Sequence, residues 1–348
     1  MILHNGLSTG DSGVREYLVR RRRRFVYVIA LLAVALICAS LTHLALGSIV
    51  LNPFDVVLKG IYFAAGICRF RLFRMIAALL VGSLLSTSGF LIQVCTRNPL
   101  GDPYLLGISS GALFAVTLTF AFPPQSPLIF VFRPLAAFIG GFLAYTLTHA
   151  IAMKAGYTPT SIVLSGVAVG TTLYSLSLLP QYLILFDIHK VFAWSMGSLT
   201  GAGPIELLTC LAILVIAFLI VHNYLPILNA LNVSDDFVRE LGYDPLKLRR
   251  IMTGLAALTA SISVAWFGII GFIGLAAPHI ARRLLGSGDV RYVLPTSLIT
   301  GSVLLLLSDT AAKTLFLPLD MPVNIIVSAI GGPTLAIVLV RMRKYAGS

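Results

Sequence analysis

Nine long apolar runs constrain the fold of this chain more than any other feature of its sequence. They lie near residues 25–47, 72–94, 104–122, 134–153, 160–183, 205–223, 251–281, 293–312 and 322–340. A helix needs about 20 mostly apolar residues to cross a bilayer. Only 11% of the residues are charged and the mean hydropathy is +0.96, whereas about a quarter of the residues in soluble proteins are charged. The chain is therefore predicted to be an all-α polytopic membrane protein.

The seventh run, residues 251–281, is long for one membrane span and short for two. It contains Gly268, Gly271, Gly274 and Pro278, which permit a break at membrane depth where other helices cover the backbone. Two passes here give ten crossings, place both termini in the cytoplasm and leave 18 of the 25 Lys and Arg residues on that side. A single pass divides them 13 to 12. The positive-inside rule favours about ten transmembrane helices.

The arginine cluster at 20–24 is expected to hold the N-terminus in the cytoplasm. The apolar run after it is too long for a signal-peptide core and lacks a small-x-small cleavage site. We expect a disordered, basic cytoplasmic segment at 1–24, a single transmembrane domain at 25–341 and a cytoplasmic tail at 342–348. The net charge of +12 is attributed to basic loops that anchor the topology, so no nucleic-acid partner is expected.

The segment SDDFVRELGYDPLKLRR, residues 234–250, differs from its surroundings because eight of its 17 residues are charged. Capping signals predict a short helix there, followed by a second helix that enters the membrane. They are a serine N-cap, two first-turn aspartates, a glycine stop and the Asp-Pro pair that begins the second helix: Ser234, Asp235, Asp236, Gly242 and Asp244–Pro245.

The spacing of Phe237, Val238 and Leu241 predicts one apolar face on this short helix. The residues leave two interpretations open. The helix either packs on its own protein as part of a loop, or it docks a cytosolic partner.

Three arginines of the stretch ICRFRLFRM, Arg69, Arg71 and Arg74, are predicted on the outer side, against the overall charge bias. They bind lipid headgroups, or they form a basic patch for an acidic external partner. Asp309 and Lys313, near the outer end of the ninth helix, have the i, i+4 spacing of a helical ion pair.

Catalytic and metal-binding patterns are absent from the sequence. It contains no G-x-x-x-x-G-K-[ST] loop, no nucleophile elbow and no H-E-x-x-H, and its Cys and His residues are scattered. No second membrane-embedded acid is positioned for a proton relay. We expect no metal site and no catalytic site, and we expect energy to come from another subunit.

The stretch TRNPLGDPYLLGISSGA, residues 96–112, resembles the signature after the second helix in FecCD-type permeases. These are the membrane subunits of type II ABC importers for iron–siderophore complexes, haem and vitamin B12. The resemblance covers about residues 25–340. Further matches follow in family order: RLFRMIAALLVG, VLSGVAVG, FAWSMGSLTG, LNALNVSDDFVRELG, GIIGFIGLAAPHIAR and MPVNIIVSAIGGP.

The resemblance implies a type II ABC importer permease fold in the cytoplasmic (inner) membrane of a prokaryote. It implies a second permease subunit, two cytosolic ATPase subunits that bind ATP and Mg, and an extracytoplasmic substrate-binding protein, with no cofactor in this chain. Coupling helices are placed at about 234–248. The coupling residues would be Ser234, Asp235, Asp236, Phe237, Val238, Arg239, Leu241 and Gly242.

The resemblance also implies binding-protein docking through Arg71 and Arg74, although Phe73 replaces the family's usual proline between them. Lys313 stands where the family usually has arginine. The cytoplasmic gate would lie at residues 159–161, Pro159, Thr160 and Ser161, where helix capping is the alternative. His279 matches the family's Pro-His pair, and we expect it to be a structural residue hydrogen-bonded between helices.

The predicted function is the permease subunit of an ATP-driven importer, which is not itself an enzyme. The predicted cargo is a ferric siderophore, with haem or cobalamin as other candidates. The alternative from a different class is an ion-coupled secondary transporter that works without an ATPase.

Overall fold

The computed structural model describes residues 8–62, 66–122, 129–185 and 188–333, and within these ranges the chain is helical without strands. A 3₁₀ turn at Pro103–Leu106 precedes the fourth helix. The helices are α1 (Ser8–Ala45), α2 (Pro53–Tyr62), α3 (Gly66–Thr96), α4 (Ile108–Ala121), α5 (Ile129–Lys154), α6 (Pro159–Leu183), α7 (Ile188–Ser195), α8 (Pro204–Val233), α9 (Asp235–Glu240), α10 (Pro245–Phe267), α11 (Ile273–Leu285), α12 (Val290–Thr314) and α13 (Val323–Pro333).

Seven of the described helices are long and apolar enough to cross a membrane, namely α1, α3, α5, α6, α8, α10 and α12. Two further apolar helices, α4 and α13, have fewer than 18 residues within the described ranges, and α11 forms the second half of the seventh run. These ten helices correspond to the ten predicted crossings, and the all-α polytopic class is confirmed. The short helices α2 and α7 were not predicted from any apolar run.

The seventh run breaks between Phe267 and Ile273, as two passes require. Gly268 has a φ of 72°, and a Cβ at this position would lie 2.3 Å from the carbonyl oxygen of Trp194. Only glycine combines that backbone conformation with so close an approach. The predicted break is therefore confirmed, and Gly268 is the residue that permits it.

The core of the protein surrounds α3, which packs against α8, α10, α11 and α12. In the most apolar part of α3, 78% of the residues are buried, compared with 17% in α8. A Cβ at Gly89 would lie 1.8 Å from the carbonyl oxygen of Gly274, so the backbones of α3 and α11 are in contact. Small residues allow such contact between membrane helices. The peripheral helices present their apolar side chains outward, as expected next to lipid.

The N-terminal segment differs from the sequence prediction, because α1 begins at Ser8 and residues 8–24 are helical rather than disordered. Arginine is a good helix former, and Glu16 pairs with Arg20 one turn later. Arg21 pairs with Asp289 at 2.7 Å, which fixes the helix to the loop before α12. Residues 1–7 and the predicted tail at 342–348 lie outside the described residues.

Long-range contacts define two ends of the helix bundle. Asp289 binds Arg21 of α1 and Asn229 of α8, and Arg97 pairs with Asp235, so the N-terminal arginines and α9 lie at one end. We call it the α9 end. The last turns of α1 and α12 and the first turns of α3 lie at the other, which we call the α2 end.

Candidate functional site

Helix α9 has the capping geometry that its sequence predicts. The Ser234 hydroxyl accepts a hydrogen bond from the backbone N–H of Phe237 at 3.0 Å. Gly242 follows the helix with a φ of 81°, and the Asp244 carboxylate caps α10 by accepting from Leu246 N–H at 2.8 Å. The predicted N-cap, glycine stop and Asp-Pro start are confirmed. Each satisfies a helix-end group that lacks an intrahelical partner.

A buried arginine fixes α9 to the transmembrane body. The side chain of Arg249, 1% exposed, donates to both carboxylate oxygens of Asp235 at 2.9 and 2.5 Å and to the carbonyl of Cys95 at 3.1 Å. Arg97 at the end of α3 also pairs with Asp235. Burial alone would raise the pKa of Asp235, but Arg249 and then Arg97 outweigh it and hold that pKa below its usual value.

The three apolar residues of the α9 segment do not share one face, which corrects the sequence prediction. Val238 is fully buried against the body, whereas Phe237 and Leu241 are 43% and 48% exposed. Phe237 and Leu241 are four residues apart and therefore lie on the same side of the helix, while Val238 is turned about 100° away. Asp236 and Arg239 form an exposed pair at 2.6 Å. One side of α9 packs on the protein, and the other presents an aromatic and an aliphatic side chain.

The residues predicted to dock a binding protein are buried rather than displayed as an exposed basic patch. Arg71, Arg74 and Lys313 are 5%, 3% and 5% exposed. Arg71 donates to the carbonyl oxygens of Leu44 and Ala45, each at 3.0 Å, and Lys313 donates to that of His43. The last carbonyls of a helix lack intrahelical partners. These two cations therefore satisfy the end of α1.

Arg74 is the member of this set that binds carboxylates. Its Nε and Nη2 donate to Asp309 at 2.8 and 3.0 Å, and its Nη1 donates to Asp320 at 2.9 Å. His43 Nε2 lies 2.8 Å from Oδ2 of Asp309, the oxygen that also accepts from Arg74 Nε. The predicted i, i+4 pair of Asp309 with Lys313 is wrong, since the described residues contain no ion pair between them. α3 and α1 pack against α12 and provide Asp309 with closer partners.

A small cavity of about 130 Å³ brings the three predicted docking cations together at the α2 end. Besides Arg71, Arg74 and Lys313, its lining includes the partly exposed carboxylate of Asp320. Arg69, the third arginine of the ICRFRLFRM stretch, is exposed and lies over the ring of Phe73 at 5.1 Å. The cavity is thus lined by three cations and one acid.

The predicted gate residues form the first turn of α6 at the α9 end. Thr158 is the N-cap and accepts from Ser161 N–H at 3.1 Å, while Pro159 occupies the first helical position. Capping therefore accounts for this sequence pattern. Tyr157, immediately before the cap, shares a hydrogen bond of 2.9 Å with Thr253 of α10. The start of α6 is thereby tied to the helix that follows α9.

The family model of the FecCD transport family matches residues 28–341. The chain belongs to the FecCD transport family. It is 35% identical over 321 residues to the Fe(3+)-citrate import system permease protein YfmE of Bacillus subtilis, covering 90% of this chain and 95% of that protein. It is 33% identical over 267 residues to the cobalamin import system permease protein BtuC of Halobacterium salinarum, covering 76% of this chain and 70% of that protein.

A solved structure supports the same fold. A metal-chelate type ABC transporter, in an inward-facing conformation, superposes with a TM-score of 0.79 and 24% identity, covering 91% of this chain and 99% of that chain. The FecCD chain therefore has the type II ABC importer permease fold and is a multi-pass membrane protein.

Several residues of this FecCD chain were not singled out from its sequence. The sequence identifies Arg97 and Arg249 only as cytoplasmic charges and indicates no role for His43 or Asp320. A histidine within the first apolar run and an acid in the short loop after α12 were the available signals. The side chain of His279 makes no hydrogen bond in the described part of the chain, so the expected interhelical bond is wrong. No group of three or more metal-ligating side chains is placed around one point among the described residues.

Proposed function

We propose that this FecCD-family chain is the membrane-spanning permease subunit of an ATP-binding cassette importer, working with a second permease subunit. The observation that supports this most directly is the construction of α9. A buried ion pair holds Asp235 against Arg249, while Phe237 and Leu241 face outward. A helix fixed rigidly on one side and apolar on the other is suited to transmit the motion of a docked protein. ATP hydrolysis, with ATP and Mg, belongs to the partner.

The distribution of basic residues supports a cytoplasmic location for the α9 end. The N-terminal arginines, Arg97, Arg249 and the α11–α12 loop converge there. Basic loops remain on the cytoplasmic side. Both termini and two ATPase subunits then lie on this side of the inner membrane, and a substrate-binding protein approaches the α2 end.

Helix α6 supports a translocation path between two permease subunits. Only 28% of its most apolar part is buried within the chain. Thr171, Thr172 and Ser175 are exposed on it, although a helix facing only lipid carries few such groups. The hydroxyls of Thr171 and Thr172 bond back to their own helix. This mixed surface fits a water-filled path or a partner helix better than lipid. The gate at 159–161 would then close its cytoplasmic end.

A ferric chelate is the cargo that we propose. The relative YfmE is named for Fe(3+)-citrate import, and the superposed structure is a metal-chelate type transporter. The cobalamin permease among the relatives makes cobalamin the principal competitor, and haem is a third candidate.

The test is uptake into vesicles that contain this chain, its partner ATPase and its substrate-binding protein. Labelled ferric citrate, a ferric hydroxamate, haem and cobalamin are supplied in turn, each with and without ATP on the ATPase side. ATP-dependent uptake of a ferric chelate alone is the expected result. Uptake that follows an ion gradient and ignores ATP would contradict the importer and favour a secondary transporter.

A further inference from the structure

Asp320 is the one described residue of the α2-end cavity that carries a partly exposed negative charge. Its side chain is 47% exposed, yet one carboxylate oxygen lies 2.9 Å from Nη1 of Arg74, whose side chain is 4% exposed. Nε and Nη2 of Arg74 donate to Asp309, which is 1% exposed and also bound by His43. Arg74 thus has one permanent carboxylate partner and one partner at the surface.

The cavity has the charge and size to receive a carboxylate. Arg71, Arg74 and Lys313 contribute three positive charges, while Asp309 and Asp320 contribute two negative charges. Its volume of about 130 Å³ is well above the roughly 10–15 Å³ that a single water molecule requires. An acidic side chain fits that space. The Nη1 atom of Arg74 is the donor it would meet, and Asp320 already occupies that donor.

We propose that Asp320 is an internal substitute for a carboxylate of the docking protein, displaced when that protein binds at the α2 end. This inference rests on the proposed function, because it takes the substrate-binding protein as the partner. Exchange of one carboxylate for another keeps the buried guanidinium paired in both states, so no uncompensated charge is created. Asp320 weakens docking by competition, and it lowers the positive charge of the pocket when no partner is bound.

The test compares the affinity of wild-type transporter and the Asp320→Asn variant for the same substrate-binding protein used in the uptake assay. Transporter is held in nanodiscs of zwitterionic lipid or of anionic lipid. Removing a competing, partly exposed ion pair should tighten binding about fivefold, and the added positive potential should increase the association rate. Asp320→Glu, which retains the charge, should bind like wild type.

Asp55→Asn is the matched control, because Asp55 is an exposed acid of α2 at the same end and does not line the cavity. It should leave the affinity unchanged. Equal or weaker binding by Asp320→Asn overturns the proposal, as does an equal gain in both variants. The proposal is also overturned if Asp320→Asn binds more anionic lipid but does not bind the substrate-binding protein more tightly, because the cavity is then a site for lipid headgroups. If the wild-type transporter neither binds the substrate-binding protein nor transports, the proposed function itself is contradicted. If wild type does both and the Asp320→Asn result still differs from the expected one, only the proposal for Asp320 is overturned.

Discussion

Charged residues have different structural roles at the two ends of the molecule. At the α9 end, the ion pair of Asp235 with Arg249 fixes α9 to the body and leaves Phe237 and Leu241 exposed. At the α2 end, the cations predicted to meet a partner are themselves the support, because they cap α1 and hold Asp309. Residues that a sequence motif assigns to docking can therefore be buried and support the packing of the protein.

The largest effect is expected from Asp309→Asn at the α2 end. This change removes the charge shared by Arg74 and His43 and leaves a buried guanidinium with only the Asp320 partner. Breaking a buried ion pair costs about 3 to 5 kcal/mol. Thermal unfolding in detergent should detect this loss in the free energy of unfolding. A variant as stable as wild type would show that the contacts of Asp309 with Arg74 and His43 do not stabilise the α2 end.

Arg249→Gln should produce the corresponding loss at the α9 end. Arg249 is buried and pairs with Asp235, which retains Arg97 and some solvent, so we expect about 3 kcal/mol. Arg239→Gln is the control, because Arg239 and Asp236 are 61% and 84% exposed. An exposed pair contributes less than about 1 kcal/mol. Equal losses in the two variants would contradict the distinction between supporting and surface charges.

Val238→Ala should separate the packed side of α9 from its outward side. Val238 is fully buried, and deletion of two methyl groups at about 0.8 kcal/mol each predicts a loss of about 1.5 kcal/mol. Phe237→Ala should change stability by less than about 0.5 kcal/mol, because that side chain is 43% exposed. Both variants are measured in the same unfolding assay. A larger loss of stability in Phe237→Ala than in Val238→Ala would contradict the assignment of Val238 to the packed side of α9.

A smaller, pH-dependent effect is expected from Asp235. Its pKa is lowered in the folded protein, so its contribution is complete above the ordinary aspartate pKa of about 4 and is lost as pH falls through the lower folded value. Unfolding midpoints measured from pH 7 downward should fall less steeply below pH 4 in Asp235→Asn than in wild type. The pKa of Asp289, at the same end, is about 2 because hydrogen bonds from Arg291 and Asn229 outweigh burial, so its contacts should persist until the pH approaches 2. Parallel curves for the two proteins would count against the Asp235 anchor.

Local signals in the sequence predicted local structure well. Apolar length predicted the ten crossings, the glycines of the seventh run predicted its break at Gly268, and capping residues predicted the ends of α9. These features depend on residues close together in the chain. No apolar run or capping pattern predicted helix α7 or the helical start of α1. The start of α1 depends on the pairing of Arg21 with Asp289, which is remote in sequence.

The side-chain partners at the two ends could not be predicted in the same way. Asp309 and Lys313 have the spacing of an ion pair, but neighbouring helices provide Arg74 and His43 at shorter range. The apolar spacing of Phe237, Val238 and Leu241 did not show which of them the body covers. Both outcomes depend on the packing of helices far apart in sequence. The structure was therefore needed to identify the exposed side of α9.

The most direct test of the account is the association of the ATPase with α9. The double variant Phe237→Asp and Leu241→Asp should lose co-purification of the ATPase and ATP-dependent uptake while its unfolding midpoint stays near that of wild type. The control is Leu315→Asp with Phe316→Asp, which changes side chains of the same types, 60% and 61% exposed, at the α2 end and should retain the ATPase. Retained ATPase association and uptake in the α9 variant would contradict the assignment of this helix as the coupling element.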